Sequence, residues 1–400
     1  MAISRRKFIQ LSSLASASLM VPKFLKGFEF RPDLKMQGNK ILVVLQLSGG
    51  NDGLNTVIPY RNDIYYKSRP LIGIKKDSAI ALTDDIGLHP SLKLLKNLYD
   101  NGSVSIVNGV GYPTPDRSHF RSMDIWQSGS KADEVVTTGW LGRYLDQACA
   151  DCNIHSTMAI EVDDTLSLAM KGKEKNAVAV KDVDRFHNAA TSGFVRNLAS
   201  HEEEHEAQLA DYLYQTLRET VSAADYVYAQ SKLYKTTQTY PDTPIGKQLK
   251  VVGNLINSNA DTRVYYVSHG SFDTHVAQQE RQKNLFDQLD GALGAFVADL
   301  KQSNRFDDVL IMTFSEFGRR VSQNASNGTD HGTASSMFLI GGGLKKAGIY
   351  NDIPSLADLD NGDLKYEIDF KQVYSTVLDN WLQTNSRDIL GRRFDGLGIV

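Results

Sequence analysis

Cysteine is almost absent. There are two in 400 residues, which excludes a small scaffold held by disulfides. Cys149 and Cys152 form a Cys-Ala-Asp-Cys unit that follows Trp140-Leu-Gly-Arg-Tyr-Leu-Asp-Gln-Ala148, a helix-like stretch. A thioredoxin-like pair needs a strand-to-helix junction, so a local disulfide or two idle thiols is the better reading. Charge of one sign is also lacking. Forty-four Lys and Arg stand against 47 Asp and Glu, a net charge of −3, which gives no basic footprint for nucleic acid. Beyond the N-terminus no run approaches the ~18 apolar residues of a stable membrane span. Internal repeats and low-complexity segments are missing as well.

The N-terminus does carry a signal. Ser4-Arg5-Arg6-Lys7-Phe8-Ile9 sets two arginines before an apolar stretch diluted by Ser12, Ser13, Ser16 and Ser18. A basic segment, a weakly apolar segment and a polar continuation make a signal peptide, and the arginine pair selects the machinery that exports folded chains. Residues 1–30 are therefore expected to be a twin-arginine signal. The mature protein is expected in the periplasm or secreted, with the twin-arginine export machinery as a partner.

Apolar runs alternate with helical periodicity through the remainder. Residues 40–47, 103–110, 263–267, 308–314 and 336–340 read as strands, of which 40–47 is buried on both faces and 308–314 is also buried. Helices are expected from His89-Pro90 to Tyr99, over 118–126, over 245–256, and along Leu285, Leu289, Leu293, Phe296 and Leu300. Asp369 is positioned to cap a helix that carries Val373, Tyr374, Val377, Leu378 and Trp381. The pattern predicts one α/β domain over 38–400 with a mainly parallel central sheet and helices on both faces. Residues 150–240, with a long helix over about 200–234, read as a helical insertion.

In such sheets, ligands sit beyond the carboxyl ends of the strands, and that is where the chemistry-bearing residues fall. Asp52 follows the first strand, Asp273 and His275 follow another, and Glu316 a third, while Asp330-His331 precedes the next strand. Ser118 sits at a helix start, where aligned amides favour an anion. Carboxylates with imidazoles suit zinc or manganese. Together these residues describe metal-assisted attack on a phosphate- or sulfate-like ester, with Ser118 as nucleophile and Arg117 as anion clamp. Plainer roles exist for each. Asp52 in Gly-Gly-Asn-Asp-Gly can satisfy turn amides, Ser118 can be an N-cap, Arg117 can be solvated, and Glu316 can join Arg319 and Arg320 in an ion-pair cluster. His201-Glu202-Glu203-Glu204-His205 matches the His-Glu-x-x-His spacing of zinc proteases. The glutamates around it make a solvated face, which argues against a catalytic helix.

The blocks LQLSGGNDGLNTVIPY, PDRSHF, TGWLGRYL, GSFDTH, TFSEFGRR and GTDHGTASSMFLIGGG resemble the exported bacterial family known as domain of unknown function 1501. They cover residues 41 to about 380 apart from the insertion. The resemblance implies an alkaline-phosphatase-like fold within the phosphatase and sulfatase superfamily. It implies that Asp52 matches the first metal aspartate and Ser118 the nucleophile. It further implies that Asp273, His275 and His331 match the ligands of the other metal site. Three departures follow. Asp273-Thr-His275 is spaced more tightly than the superfamily's usual Asp-x-x-x-His. Glu316-Phe317 stands where an Asp-His pair is usual, so His119 or Asp330 supplies the missing ligand or only one ion binds. Pro113 stands where sulfatases carry the residue that becomes formylglycine, which points to phosphoric rather than sulfuric esters. The expectation is an exported metal-dependent hydrolase with one or two divalent ions and a small-molecule or glycan ester substrate. The alternative is a non-catalytic envelope or carbohydrate-binding protein on the same fold.

Overall fold

The computed structural model describes residues 40–148, 156–200 and 208–400. The segment expected to be an export signal, the Cys149–Cys152 unit and the histidine pair at 201 and 205 lie outside the described residues.

The central strand β1 (Ile41–Leu47) is buried along its whole length. Successive strand side chains point to opposite faces, and here both faces are apolar. Ile41, Val43, Leu45 and Leu47 enter one core, while Leu42 and Val44 enter the other. Each such side chain contributes about 1.5–3 kcal/mol when buried, so the strand is stable only between two helical layers.

Around β1 lie β2 (Val104–Gly111), β3 (Ala159–Glu161), β4 (Val178–Ala179), β5 (Val264–His269), β6 (Val309–Phe314), β7 (Ser335–Ile340), β8 (Gly348–Ile349) and β9 (Ile368–Asp369). They form a nine-stranded sheet in the order β8-β2-β7-β6-β1-β5-β3-β4, with β9 also paired to β2. Every pairing is parallel except those of β7, which runs antiparallel to both β2 and β6. This reversal matters for the site. Leu47 of β1 pairs with His269, and Gln46 with Phe314, so β1, β5 and β6 end level with one another. β7 instead begins at that edge, with Ser335 opposite Val110. The loop before β7 therefore arrives where the other loops leave.

The longer helices are α1 (Asp63–Ser68), α2 (Lys93–Asp100), α3 (His119–Ser128), α4 (Trp140–Ala148), α5 (Val183–Ala190), α6 (Gly193–Ala199), α7 (Gln208–Leu233), α8 (Pro244–Asn257), α9 (Gln278–Gln302) and α10 (Phe370–Thr376), beside the short helical turns Gly53–Thr56 and Ser386–Leu390. Leu95 and Leu98 of α2, Leu249 and Val252 of α8, and Leu289, Leu293 and Phe296 of α9 cover one face. Trp126 of α3, Trp140 of α4 and Tyr374 of α10 cover the other. There Trp126 lies stacked between Phe314 and Phe370, with ring centroids 5.5 and 4.3 Å away. α10 opens with a capping box between Asp369 and Gln372.

Two expectations are corrected. The segment 150–240 is not only helical, because β3 and β4 extend the sheet beyond β5, and α5 and α6 pack on α7 beside them. These strands hold three and two residues, too few for alternation to register. α2 begins at Lys93, later than expected from His89-Pro90. The Ser91 amide donates to His89 Nδ1 at 3.1 Å and the Leu92 amide to the His89 carbonyl at 3.0 Å, so these residues form a turn.

Candidate metal centre

The loop after β1 shapes the site first. Gly49 and Gly50 have φ of +118° and +75°, and a side chain at Gly49 would run into the Asp273 backbone. Only glycine allows this approach at no steric cost. The Gly49 amide donates to Glu316 Oε1 at 2.8 Å. Arg319, fully buried, then ties three loops together. Its Nε donates to the Gly50 carbonyl at 2.6 Å and its Nη1 to the Thr329 carbonyl at 2.9 Å. Its Nη2 donates to the Gly49 carbonyl and, at 2.7 Å, to Asp273 Oδ1. A buried guanidinium is tolerated when its donors are matched in this way.

His119, Asp273 and His331 come together. Each offers one ligating atom, and these three atoms lie within 4.8 Å of one another. Asp273 lies 3.6 Å from His119 Nε2 and 3.3 Å from His331 Nε2. The far nitrogen of each ring is already engaged. His119 Nδ1 meets Glu316 Oε1 at 2.9 Å, and His331 Nδ1 donates to the Arg117 carbonyl at 2.8 Å. An acceptor on Nδ1 sets the tautomer that leaves the Nε2 lone pair free, which is how metal-binding histidines are oriented. The donor set of two imidazoles and a carboxylate, from three separate loops, thus fits a divalent first-row cation.

The electrostatics agree for two of the three. Burial opposes the charge on Asp273, yet Arg319 holds its carboxyl below the usual range. Burial pushes His331 down, although the Arg117 carbonyl works the other way. Both groups therefore sit in their ligating forms near neutrality. His119 is raised, first by its hydrogen bond to Glu316 and in spite of burial. A proton competes with a cation there.

His275 adjoins the cluster, its Nε2 2.9 Å from His331 Nε2 and 3.0 Å from Asp273 Oδ1. Asp330 backs its other nitrogen at 3.4 Å, with Asn324 donating to the same Asp330 oxygen at 3.2 Å. Asp330 is thus a supporting group behind His275. Glu316 is likewise behind His119, buried and facing its Nδ1. Ser118 is the N-cap of α3, exposed, with no side-chain cap hydrogen bond. Its hydroxyl is not spent on the helix.

Two expected residues are elsewhere. Asp52 is buried and engaged by Arg69, with Nη1 2.5 Å from Oδ2 and Nη2 3.0 Å from Oδ1. It also accepts from the Leu54 amide at 3.2 Å and from Gln278, so its oxygens are committed to folding the loop. Arg117 pairs with the buried carboxylate of Asp363, Nε lying 2.8 Å from Oδ2. This pairing takes its guanidinium away from an anion clamp, and its contribution is the backbone carbonyl. Sequence reasoning missed Arg69 and Gln278 altogether, and offered Arg319 only as an alternative ion-pair partner for Glu316, whereas its carboxylate is Asp273. An arginine's carboxylate partner is set by tertiary proximity, and no local spacing encodes it.

A mostly parallel α/β sheet with a His–Asp–His cluster assembled from its strand-end loops defines the class. Residues 39–388 match the family described as protein of unknown function (DUF1501), and the chain belongs to that family. No curated protein matches it. Solved structures similar to it include the lipoteichoic acid synthase of Listeria monocytogenes, 11% identical with a TM-score of 0.40, covering 88% of this chain and 76% of that one. A protein of the alkaline phosphatase superfamily from Vibrio parahaemolyticus is 10% identical with a TM-score of 0.40, covering 98% and 78%. A phosphonate monoester hydrolase from Silicibacter pomeroyi is 10% identical with a TM-score of 0.38, covering 90% and 78%. At that likeness, what the chain does has to be argued from its own site.

Proposed function

We propose that this chain is an exported metal-dependent hydrolase of phosphate-type esters, with a cation held by His119, Asp273 and His331. The observation that carries the reading is the paired orientation of the two imidazoles. Glu316 and the Arg117 carbonyl engage both Nδ1 atoms, which turns both Nε2 atoms toward Asp273, with His275 Nε2 beside that of His331. Folding alone does not require two such rings from separate loops to face one carboxylate.

A divalent ion supplies Lewis acidity toward an ester oxygen and charge to hold the anion. Ser118 supplies the nucleophile. Its Oγ bonds to phosphorus as the P–O bond of the ester breaks, the departing alcohol takes up the proton, and water later releases phosphate from the serine. The first amides of α3 face the developing charge. Zinc and manganese both suit the donors, and a small-molecule or glycan ester is the substrate class. Export through the Arg5-Arg6 signal belongs to the same proposal. Among the described residues no helix is long and apolar enough to cross a membrane.

The test is turnover of an activated phosphate ester by the zinc- or manganese-loaded protein. Ser118→Ala should abolish turnover yet retain the metal and the fold, since a hydroxyl without a cap hydrogen bond contributes less than the ~1 kcal/mol of a typical cap. One observation favours a second reading, a non-catalytic envelope or carbohydrate-binding protein that keeps one cation. Arg117, the expected anion clamp, is consumed by Asp363. Stoichiometric metal without hydrolysis of phosphate mono- or diesters would select that reading.

A further inference from the structure

Asp52 lies in the loop after β1, the strand flanked by the two whose loops carry Asp273 and Glu316, and a cation is the partner expected there. A guanidinium stands in that place. Arg69 and Asp52 are both 0% exposed at their side chains, and all five donor hydrogens of Arg69 have acceptors. Nε donates to the Val321 carbonyl at 2.8 Å. Nη1 donates to Asp52 and to Asn55 Oδ1 at 2.9 Å, and Nη2 to Asp52 and to the Arg320 carbonyl at 2.8 Å. A guanidinium has five such donors and no acceptor, so no further group can be added without breaking a bond already made. The Asp52 oxygens are also shared with the Leu54 amide and Gln278. A metal ion entering here would have to expel a fully matched, buried, permanently charged group.

We propose that Arg69 is the chain's own built-in cation at Asp52, so that the site takes a single divalent ion, at His119, Asp273 and His331. This rests on the metal-centre reading above. The pair also acts as a brace. Gln278 bridges Asp52 to Thr329 Oγ1, which donates to Gln278 Oε1 at 2.6 Å. The Thr329 carbonyl receives Arg319, and Arg319 holds Asp273. Asp52 and Arg69 are thus positioning residues that reach the cluster through buried hydrogen bonds.

The experiment loads the full chain with manganese, removes loose metal by desalting, and measures ions per chain together with the electron paramagnetic resonance spectrum. The expected result is one ion per chain with the signal of an isolated Mn(II). Asp52→Asn, near-isosteric, should still take no second ion and should hold the one ion more weakly through the loosened brace, whereas His331→Ala should lose it. Two ions per chain or a spin-coupled pair would overturn the proposal while leaving the hydrolase reading standing. No ion in the wild-type protein would overturn both. If Asp52→Asn does not fold, the wild-type stoichiometry and spectrum still decide.

Discussion

Among individual residues, the groups behind the cluster decide as much as those within it. Glu316 makes no claim on a cation, yet it sets the tautomer of His119 and receives the Gly49 amide. Replacing such a supporting carboxylate typically costs 10–100-fold in metal affinity, so Glu316→Gln should weaken metal binding by about that factor without removing it. Competitive titration against a chelating dye measures this. Glu161 at the end of β3 makes a second test, away from the cluster. Burial pushes its carboxyl up to about 7 from an ordinary 4.5, against the Ser167 amide that hydrogen-bonds to it. The folded state therefore holds a proton that the unfolded state has released. Its contribution to stability is present below the unfolded value and is lost as pH rises through about 7. The denaturation midpoint should fall between about pH 5 and about pH 8, and Glu161→Gln should flatten that slope. An unchanged slope in the variant would show that another group sets it.

Among elements, the loop after β1 and the reversal of β7 do most to build the site. Gly49 is held at φ +118° against the Asp273 backbone, where an L side chain is strained and also collides. Such a conformation costs of order 1–3 kcal/mol for a non-glycine residue. Gly49→Ala should lower stability by at least that much and weaken metal binding with it, because Gly49 and Asp273 must part. Thermal melting with and without manganese would separate the two effects. The Gly-Gly-Asn-Asp-Gly motif announced a tight turn at this place, although the chemical role first read there belonged to the aspartate. β7 was visible as an apolar run over 336–340, but its direction was not. A strand buried on both faces has the same pattern whichever way it runs, and only its pairings with β2 and β6 reveal the reversal.

For the whole molecule, a cation that joins loops from β2, β5 and β7 should link them mechanically as well as chemically. A ligand bound only by the folded state stabilises it by about 2.7 kcal/mol when present at 100 times its Kd. Chelation should therefore lower the melting temperature of wild-type protein and leave His331→Ala unmoved. Equal melting of the treated and untreated wild type would argue against a bound ion. The sheet itself was legible in the chain because long apolar strands and heptad-like helical stripes are local patterns, carried by neighbouring residues. The candidate centre was legible in part for a related reason. Parallel strands force their carboxyl ends to one edge, so Asp273, His275 and Glu316 are placed together by the chain alone, whereas His331 reaches that edge only because β7 is reversed. His119 entered only as a substitute ligand, and the partners of Asp52, Arg117 and Arg319 were not legible. Those pairings depend on contacts between residues as far apart as Arg117 and Asp363, or Arg69 and Val321. Which charge meets which is settled when the loops pack, since the burial that makes a pairing strong exists only in the folded chain.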